Sequence, residues 1–351
     1  MSSNWIINKT DRILVTGAGG FVGSRVVRVL LEFGFTRLRC LVRSDRNFAE
    51  LKQLAAAANA EVEFLVGNLF SREDCVNAAR DAAVIYHLAI GSSGKSFPNA
   101  FMNAVIPTRN LLEAALQHKT LKRFVNVSSF AVYSNRAGNG TGCLDESSPL
   151  DEHPEARGDA YAFGKLHQDR IVMDYAEKHG IPYVIVRPGS VYGPGKEAIP
   201  GRVGIDTFGV FLHLGGPNQI PFTYVDNCAE AIVLAGIVKG ADGEVYNIVD
   251  DDLPSSRRFL SLYKKNVKKF RSIYVPHALS YLLCHLWEKY SNVSEGQLPP
   301  VFSRGEWHAY WKKTRYSNEK LKSRLGWKPR VSTEQGLERY FKSCRERGGH
   351  A

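Results

Sequence analysis

The chain has 351 residues, 44% of them hydrophobic, with 46 Lys and Arg against 35 Asp and Glu. That length allows one large domain or two modest ones, and the apolar share is sufficient for a full core. No run approaches the ~18 apolar residues of a membrane-spanning helix, and the polar start of the chain argues against a secretory signal. The six cysteines are scattered without a CxxC pair, so we expect no metal site and a cytoplasmic location.

The net charge of +11 is concentrated near the C-terminus. Residues 251–351 carry 21 Lys and Arg against 9 Asp and Glu, whereas the first 250 residues carry 25 against 26. A solvated basic surface is the simplest interpretation, and contact with an anionic membrane surface or an anionic substrate are the alternatives. Nucleic acid is not expected as a partner, because no recognised binding motif accompanies the charge.

Short apolar runs alternate with helical periodicity in the first half of the chain. Strands are predicted at 12–16, 37–42, 61–66, 83–88, 124–127 and 183–186, and helices at 21–33, 104–117 and 163–179. This alternation indicates an α/β fold with a doubly wound parallel sheet of the Rossmann type. We expect a nucleotide-binding domain at 1–187 and a smaller substrate-binding region at 188–351. The boundary is soft, because residues 244–249 also fit the main sheet.

A glycine loop follows the first predicted strand and opens a helix. Gly17, Gly20 and Gly23 form a TGxxGxxG pattern. Small residues there permit a tight turn, approach of the backbone to a pyrophosphate, and close packing of helix on strand. The helix N-terminus then offers N–H groups to the phosphates. A plain strand-to-helix turn is the alternative interpretation.

The ribose and adenine of a dinucleotide would lie at the ends of the next two strands. Arg43 stands where an NAD enzyme would carry an acidic residue, so it favours the 2′-phosphate of NADP, with NAD still possible because Asp45 and Arg46 are adjacent. Asn68 and Leu69 follow the third strand, where the amide of Asn68 can accept from the exocyclic amine of adenine.

Three Tyr-x-x-x-Lys pairs are candidates for an acid/base centre: Tyr161/Lys165, Tyr192/Lys196 and Tyr316/Lys320. Interconverting a ketone and an alcohol requires a hydride and a proton, and a nearby ammonium lowers a tyrosine pKa from its usual value of about 10. Residues four apart share one face of a helix. Glycine and proline break the helix after Tyr192, and Tyr316 lies far from the nucleotide half.

Tyr161 is the favoured candidate among the three. It begins a predicted helix, and Ser129 ends the fifth predicted strand, where ligands bind in such sheets. The serine hydroxyl could then hold the substrate oxygen beside the phenol. A structural role for these polar groups is the alternative.

In this order the motifs resemble the extended short-chain dehydrogenase/reductase family, from about residue 11 to residue 341. The resemblance implies a catalytic set and a cofactor set, and a homodimer. The catalytic residues would be Ser129, Tyr161, Lys165 and Asn103. The cofactor would contact Gly17, Gly20, Phe21, Val22, Gly23, Arg43, Asn68, Leu69, Leu88, Ala89, Tyr161, Lys165, Pro188 and Ser190.

The family contains dehydrogenases and reductases of ring alcohols as well as nucleotide-sugar epimerases and dehydratases. Ser190 and Pro221 replace polar residues common in the sugar-nucleotide enzymes, so we expect hydride transfer on a cyclic or polycyclic secondary alcohol or ketone. The apolar stretch 278–287 is expected to line the substrate pocket, and contact with a membrane is left open. A nucleotide-sugar enzyme and a non-catalytic dinucleotide sensor are the alternative functions, although an intact Ser129/Tyr161/Lys165 set argues against the sensor.

Overall fold

The computed structural model describes residues 4–44, 48–91, 96–134, 142–207, 209–293 and 303–348. Asp45 and Arg46, considered above for the ribose site, lie outside these residues. The strands, in chain order, are β1 (Arg12–Thr16), β2 (Arg37–Val42), β3 (Glu61–Val66), β4 (Ala82–His87), β5 (Arg123–Val127), β6 (Cys143–Leu144), β7 (Tyr183–Pro188), β8 (Ser190–Tyr192), β9 (Gly204–Thr207), β10 (Val210–His213), β11 (Phe222–Tyr224), β12 (Glu244–Ile248), β13 (Ser272–Tyr274) and β14 (Arg315–Tyr316).

Seven of these strands form one parallel sheet in the order β12-β7-β5-β4-β1-β2-β3. The chain begins at β1, adds β2 and β3 on one side, and then crosses to β4 and the remaining strands on the other. That reversal opens a crevice at the carboxyl ends of β1 and β4, the usual ligand site of such sheets. The predicted doubly wound Rossmann fold is therefore confirmed.

Helices cover both faces of this sheet. They are α1 (Gly23–Glu32), α2 (Ala49–Ala57), α3 (Arg72–Ala79), α4 (Phe97–His118), α5 (Ala160–His179), α6 (Val225–Ile237), α7 (Ser256–Asn266), α8 (His277–Val293), α9 (Arg304–Tyr310), α10 (Glu319–Leu325) and α11 (Thr333–Gly348). The core around α1, α2 and α6 takes Ile13 and Val15 from β1, whereas the core around α3, α4 and α5 takes Leu14. Alternate residues of one strand thus enter opposite cores, which explains the continuous apolar runs in the sequence.

Helix α5 begins and ends on strong capping residues. The Asp159 side chain accepts a hydrogen bond from the amide of Ala162, and Gly180 closes the helix in the left-handed conformation. Both are preferred ends, because they satisfy backbone groups that lack partners inside the helix. The caps fix Tyr161 in the first turn and place Lys165 one turn later on the same side.

Segments beyond Pro188 contribute both to the main sheet and to the smaller region. β12 pairs with β7 at the edge of the sheet, and α6 packs beside α1 in the same core. The smaller region contains a three-stranded sheet in the order β13-β10-β9, with α7, α8, α9 and α11 around it. None of the described helices is long and apolar enough to cross a membrane.

A buried arginine fastens the end of α6 to β5. Arg123 is fully buried, and its guanidinium forms two hydrogen bonds of 2.8 and 2.9 Å with the Asp242 carboxylate. It also donates to the carbonyls of Ala235 and Val238, at 3.1 and 2.7 Å. Terminal helix carbonyls have no partner within the helix, so this contact satisfies two of them and sets the position of α6 against the sheet.

Candidate functional site

The glycine loop packs tightly against the end of β4. Gly17 has a φ of +72°, and a Cβ there would lie 2.9 Å from the backbone nitrogen of Ala89. A Cβ at Gly23 would lie 2.0 Å from the carbonyl oxygen of Gly17. Any side chain at either position would therefore force the loop, β4 or the start of α1 apart. The loop retains the close helix-to-strand packing that a pyrophosphate site requires.

Two cavities meet at this loop. The first, of about 670 Å³, extends from the loop to the ends of β2 and β3. Its lining includes the residues predicted for the adenosine half of a dinucleotide, together with Asn103 from α4: Gly17, Gly20, Arg43, Asn68, Leu69, Leu88, Ala89 and Asn103. Arg43 is exposed at its mouth. Asn103 thus lies in the cofactor-side cavity, where it packs against Gly91.

Asn68 has less free hydrogen-bonding capacity than its sequence position suggests. Its side-chain oxygen accepts from the backbone N–H of Phe70 at 3.1 Å, and its backbone N–H donates to the Asp74 carboxylate at 2.7 Å. Asn110 on α4 donates to the carbonyls of Leu69 and Phe70. The loop after β3 is therefore held from two sides, and Asn110 is a supporting residue that the motif comparison missed.

The second cavity, of about 690 Å³, extends from the same loop toward the smaller region. It brings together the remaining predicted site residues: Gly20, Phe21, Val22, Gly23, Leu88, Ser129, Tyr161, Lys165, Pro188 and Ser190. The three residues predicted to perform acid/base chemistry thus share one crevice with the glycine loop.

Within this crevice the Ser129 side chain lies close to Tyr161. The pKa of Tyr161 is raised above its usual value, chiefly by burial and also by the carboxylates of Asp159 and Asp169, while the Ser129 hydroxyl acts in the opposite direction. About 39% of the Tyr161 residue surface is exposed, although its hydroxyl end is buried. The net direction is opposite to the lowering expected from Lys165, and a raised pKa favours the neutral, proton-donating form of the phenol.

Lys165 is buried at the base of the crevice. Its ammonium donates to the carbonyl of Val127 at 2.6 Å and to the side-chain oxygen of Gln168 at 2.9 Å. Burial lowers the pKa of Lys165 to about 8, against an opposing effect of Asp169. Two of its three N–H donors are therefore committed to the protein, which leaves one for a ligand.

A chain of hydrogen bonds continues from Lys165 into the core. Gln168 donates to Thr108 at 3.0 Å, and Thr108 lies 3.0 Å from Nε2 of His87, whose Nδ1 lies 2.9 Å from the hydroxyl of Thr16. Thr108 donates its own hydrogen to the carbonyl of Ala104. Its oxygen must then accept from Nε2, so this ring nitrogen carries a proton.

The other two Tyr-x-x-x-Lys pairs are placed differently. Tyr192 is buried in the crevice wall and its hydroxyl reaches the carbonyl of Thr333 at 3.4 Å. Tyr316 stacks on Phe130 outside the crevice, and Lys320 forms an ion pair with Glu244 at 2.8 Å. Among the described residues, Tyr161/Lys165 is the one pair of the three in which both residues line the crevice and lie on the same regular helix.

The apolar stretch 278–287 does not line this crevice, so that expectation is wrong. The stretch forms most of α8 and borders a separate groove with Leu212, Leu214 and Trp311. Two adjacent residues explain the separation: Tyr310 lines the crevice, whereas Trp311 lines the groove and donates to the carbonyl of Gly201 between them. Within the described residues, no group of three or more His, Cys, Asp or Glu could hold a metal ion.

Residues 13–249 match the NAD dependent epimerase/dehydratase family. The chain is 26% identical over 330 residues to a 4-hydroxy-2-methyl-3-oxo-4-farnesyl-3,4-dihydroquinoline-1-oxide ketoreductase of Stigmatella aurantiaca, covering 93% of this chain and 95% of the relative. It is 25% identical to 3beta-hydroxysteroid-dehydrogenase/decarboxylase isoform 1 of Arabidopsis thaliana, with 96% and 80% covered. The structure of UDP-glucuronic acid 4-epimerase from Bacillus cereus, in complex with UDP-glucuronic acid and NAD, has a similar fold, with a TM-score of 0.69, 23% identity, and 95% and 99% covered.

Together with these relatives, the fold, the glycine loop and the crevice define a nicotinamide-dependent enzyme of the extended short-chain dehydrogenase/reductase type, and the sequence predicted that type. The chain belongs to the NAD-dependent epimerase/dehydratase family.

The buried His87 gives a prediction about stability in acid. Burial, and to a smaller extent the Lys165 ammonium, lower the pKa of His87 to about 3. Below pH ~6.5 the unfolded chain takes up a proton that the folded chain refuses, so this group removes stability as the pH falls from ~6.5 toward 3. The loss for one such group is about 1.4 kcal/mol per pH unit.

The His87→Gln variant keeps hydrogen-bonding atoms at this position. Between pH 7 and pH 5 we expect its free energy of unfolding to fall by about 2 kcal/mol less than that of the wild type. Urea unfolding at both pH values measures the difference. His179 is exposed, and His179→Gln is the matched control, whose free energy of unfolding should fall with pH as in the wild type. Equal losses in wild type and His87→Gln would mean that the His87 ring is protonated in the folded protein.

Proposed function

We propose that the chain transfers a hydride between a nicotinamide cofactor and a secondary alcohol or ketone on a cyclic or polycyclic substrate. The observation that carries this proposal is the meeting of Ser129, Tyr161 and Lys165 with the glycine loop in a single crevice. A plain structural role for these polar groups would not require all three to line the same cavity as the nucleotide loop.

In the proposed mechanism Tyr161 gives the proton to the substrate oxygen. Its raised pKa keeps the phenol neutral, which suits donation to a ketone during reduction. Ser129 would hold that oxygen beside the phenol, and the third N–H of Lys165 would bind a hydroxyl of the cofactor ribose. The cofactor, when bound, supplies or accepts the hydride at the face of the substrate carbon.

The same two cavities support the proposed cofactor contacts. Leu88 and Ala89 would lie under the dinucleotide, Pro188 and Ser190 beside the nicotinamide, and Asn68 and Leu69 near the adenine. Asn103 would then face the cofactor rather than the reacting oxygen. Arg43, exposed at the mouth, would pair with a 2′-phosphate, and a preference for NADP over NAD is part of the proposal. A homodimer and a cytoplasmic location stay predictions.

A ring substrate is supported by the crevice wall and by the relatives. The wall contains Ile199, Phe222, Tyr310 and Tyr340, and burying apolar rings yields about 25 cal/mol per Å². The two curated relatives described above act, by their names, on a dihydroquinoline ketone and a hydroxysteroid.

A nucleotide-sugar epimerase or dehydratase is the second candidate. Lys196 and Arg202 both line the crevice, and two cations suit a substrate that carries a diphosphate. Burial lowers the pKa of Lys196, which reduces this contribution.

A panel of substrates separates the two candidates. Thermal shift and cofactor turnover would be measured with ring alcohols and ketones, and with UDP- and dTDP-sugars, each with NADP⁺ or NADPH present. We expect ring substrates to turn over and the nucleotide sugars neither to turn over nor to raise the Tm. A shift with a nucleotide sugar alone reverses the ranking, and cofactor binding without turnover of any substrate supports the non-catalytic sensor.

The role of Tyr161 is tested by Tyr161→Phe, which removes only the hydroxyl. We expect turnover to fall at least about a hundredfold, the scale of lost acid/base catalysis. Cofactor affinity should stay within a few fold, because the glycine loop is unchanged. Tyr316→Phe, outside the crevice, is the matched control and should retain activity. Wild-type turnover in Tyr161→Phe would exclude it as the proton donor.

The cofactor preference is tested by Arg43→Asp. The change removes a charge-assisted contact to the 2′-phosphate and adds a repulsive carboxylate, which should weaken NADPH binding by about 2 kcal/mol, roughly thirtyfold. NADH binding should change little or improve. Lys178→Asp, at the far end of α5, controls for net charge. Tighter binding of NADH than of NADPH by the wild type would mean that Arg43 takes no part in cofactor choice.

A further inference from the structure

Helix α8 presents an apolar face to solvent. Its exposed apolar residues recur at spacings of three and four, and each has between 48% and 80% of its surface exposed: Leu279, Leu282, Leu283, Leu286, Tyr290 and Val293. Such spacing places them on one side of a helix. We name this set the α8 face.

The opposite side of α8 is fixed to the protein. Ser280 and Cys284 are buried, and Trp307 on α9 donates from its indole nitrogen to the Ser280 hydroxyl at 2.9 Å. Arg304, which begins α9, forms an ion pair with Glu288 at 2.9 Å. The helix is therefore held by its polar and small residues, and its leucines remain about half exposed.

The small sheet extends this apolar surface. Leu212 on β10 is in register with Ile205 on β9 and with Ile273 on β13, so the three side chains lie on one face of that sheet. Ile205 and Leu212 border a groove of about 410 Å³ with Leu283, Leu286 and Trp287 of α8. Ile273 is 58% exposed. Patches of this extent are uncommon on monomeric proteins and indicate an interaction site.

Basic residues lie near the same surface along the chain. Lys268, Lys269 and Arg271 precede β13, which carries Ile273, although Lys268 and Arg271 also line a separate cavity on the small sheet. Lys289 lies on α8 itself, and Lys313 follows the groove residue Trp311 by two positions. All five are exposed and form no ion pair with another residue in the described part of the chain. Free positive charge next to exposed leucines is the pattern of surfaces that lie on anionic lipid headgroups.

We propose that the α8 face and the groove beside it rest on an anionic lipid membrane, with the apolar side chains in the headgroup boundary. The aromatic rings support this depth: Trp287 and Tyr290 are in contact, with ring centroids 6.3 Å apart, and both residue types are favoured at membrane–water interfaces. The helix lies along the surface, because its other side is bound to α9.

A second copy of the chain is a poorer occupant of this face. A symmetric contact places the same patch against itself, so the basic residues around each patch would meet and repel. An anionic bilayer satisfies both the leucines and the surrounding charge.

The membrane would also lie next to the catalytic crevice. Tyr310 lines the crevice and the adjacent Trp311 lines the groove, so the two cavities share one wall. An apolar ring substrate dissolved in the bilayer would therefore be close to the crevice. This last step rests on the proposed function, whereas the membrane contact itself does not.

The test is binding to sucrose-loaded vesicles, measured by co-sedimentation without any substrate. We expect the wild type to bind vesicles of phosphatidylcholine with phosphatidylserine, more weakly at high salt, and to bind pure phosphatidylcholine at least tenfold more weakly. Leu282→Glu with Leu286→Glu should reduce binding at least tenfold. These two sites are exposed, so the wild-type circular dichroism and Tm should be retained, and the milder pair Leu282→Gln with Leu286→Gln serves if they are not.

Charge-reversed variants distinguish a specific role of the basic residues near the α8 face from a general effect of the protein's net charge on vesicle binding. Lys268→Glu with Lys269→Glu should lower binding to the anionic vesicles at least tenfold, since each basic residue near the surface contributes substantially. Arg170→Glu with Lys178→Glu, two exposed residues of α5, gives the same change in net charge and should retain binding. Brominated lipid should quench tryptophan fluorescence in the wild type and less in Trp287→Phe.

Three results would overturn the proposal. The first is absence of binding to either kind of vesicle, and the second is equal loss in the two charge-reversed variants. The third is a wild-type dimer in sedimentation velocity, without vesicle binding, that becomes a monomer in the Leu282→Glu with Leu286→Glu variant. That result would assign the α8 face to a second copy of the chain. None of these measurements uses turnover, so failure of the proposed hydride transfer is detected separately.

Discussion

A buried series of hydrogen bonds connects Lys165 to the first strand of the sheet, and the geometry of both cavities depends on it. The series crosses three elements, from α5 through Thr108 on α4 to His87 at the end of β4 and Thr16 at the end of β1. Thr16 also accepts from the amide of Ala89, beside the turn at Gly17. Because buried polar groups are costly when unpaired, a shift of α5 relative to the glycine loop would break several bonds at once.

A second buried cluster fixes the other wall of the crevice. Asp169, one turn beyond Lys165, accepts hydrogen bonds from Asn126, Ser128 and Arg187 at the ends of β5 and β7. Burial raises the pKa of this carboxyl, against the lowering effect of the Arg187 guanidinium. Since Ser128 adjoins Ser129, the cluster determines where the Ser129 hydroxyl lies relative to Tyr161. Helix α5 thus carries Tyr161 and Lys165 on its first turns, and Asp169, which binds the neighbouring strands, on the next turn.

Periodicity and turn residues were sufficient to predict the sheet, because strands buried on both faces, such as 12–16 and 37–42, leave continuous apolar runs. The glycine loop could be identified for the same local reason. The environment of Tyr161 could not be predicted, since its pKa is shifted by burial, by Ser129 and by the carboxylates of Asp159 and Asp169, which the spacing to Lys165 does not reveal. Gln168 lies three residues after Lys165, a spacing that offered a signal, whereas Thr108 is brought to it only by tertiary packing. The stretch 278–287 was wrongly predicted to line the substrate pocket, because an apolar run does not reveal which cavity it borders.

The position of β12 limits how the protein can be divided or assembled during synthesis. Residues 244–248 provide the edge strand beside β7, and α6, just before them, completes one core. A chain released after Pro188 would expose the backbone edge of β7, a template for pairing with other chains, and would leave Val26 and Leu30 of α1 without their partners on α6. The nucleotide-binding half is therefore not a module that can be excised at residue 187. Its last structural component emerges from the ribosome only after the first segment of the smaller region, so both parts are committed to folding together.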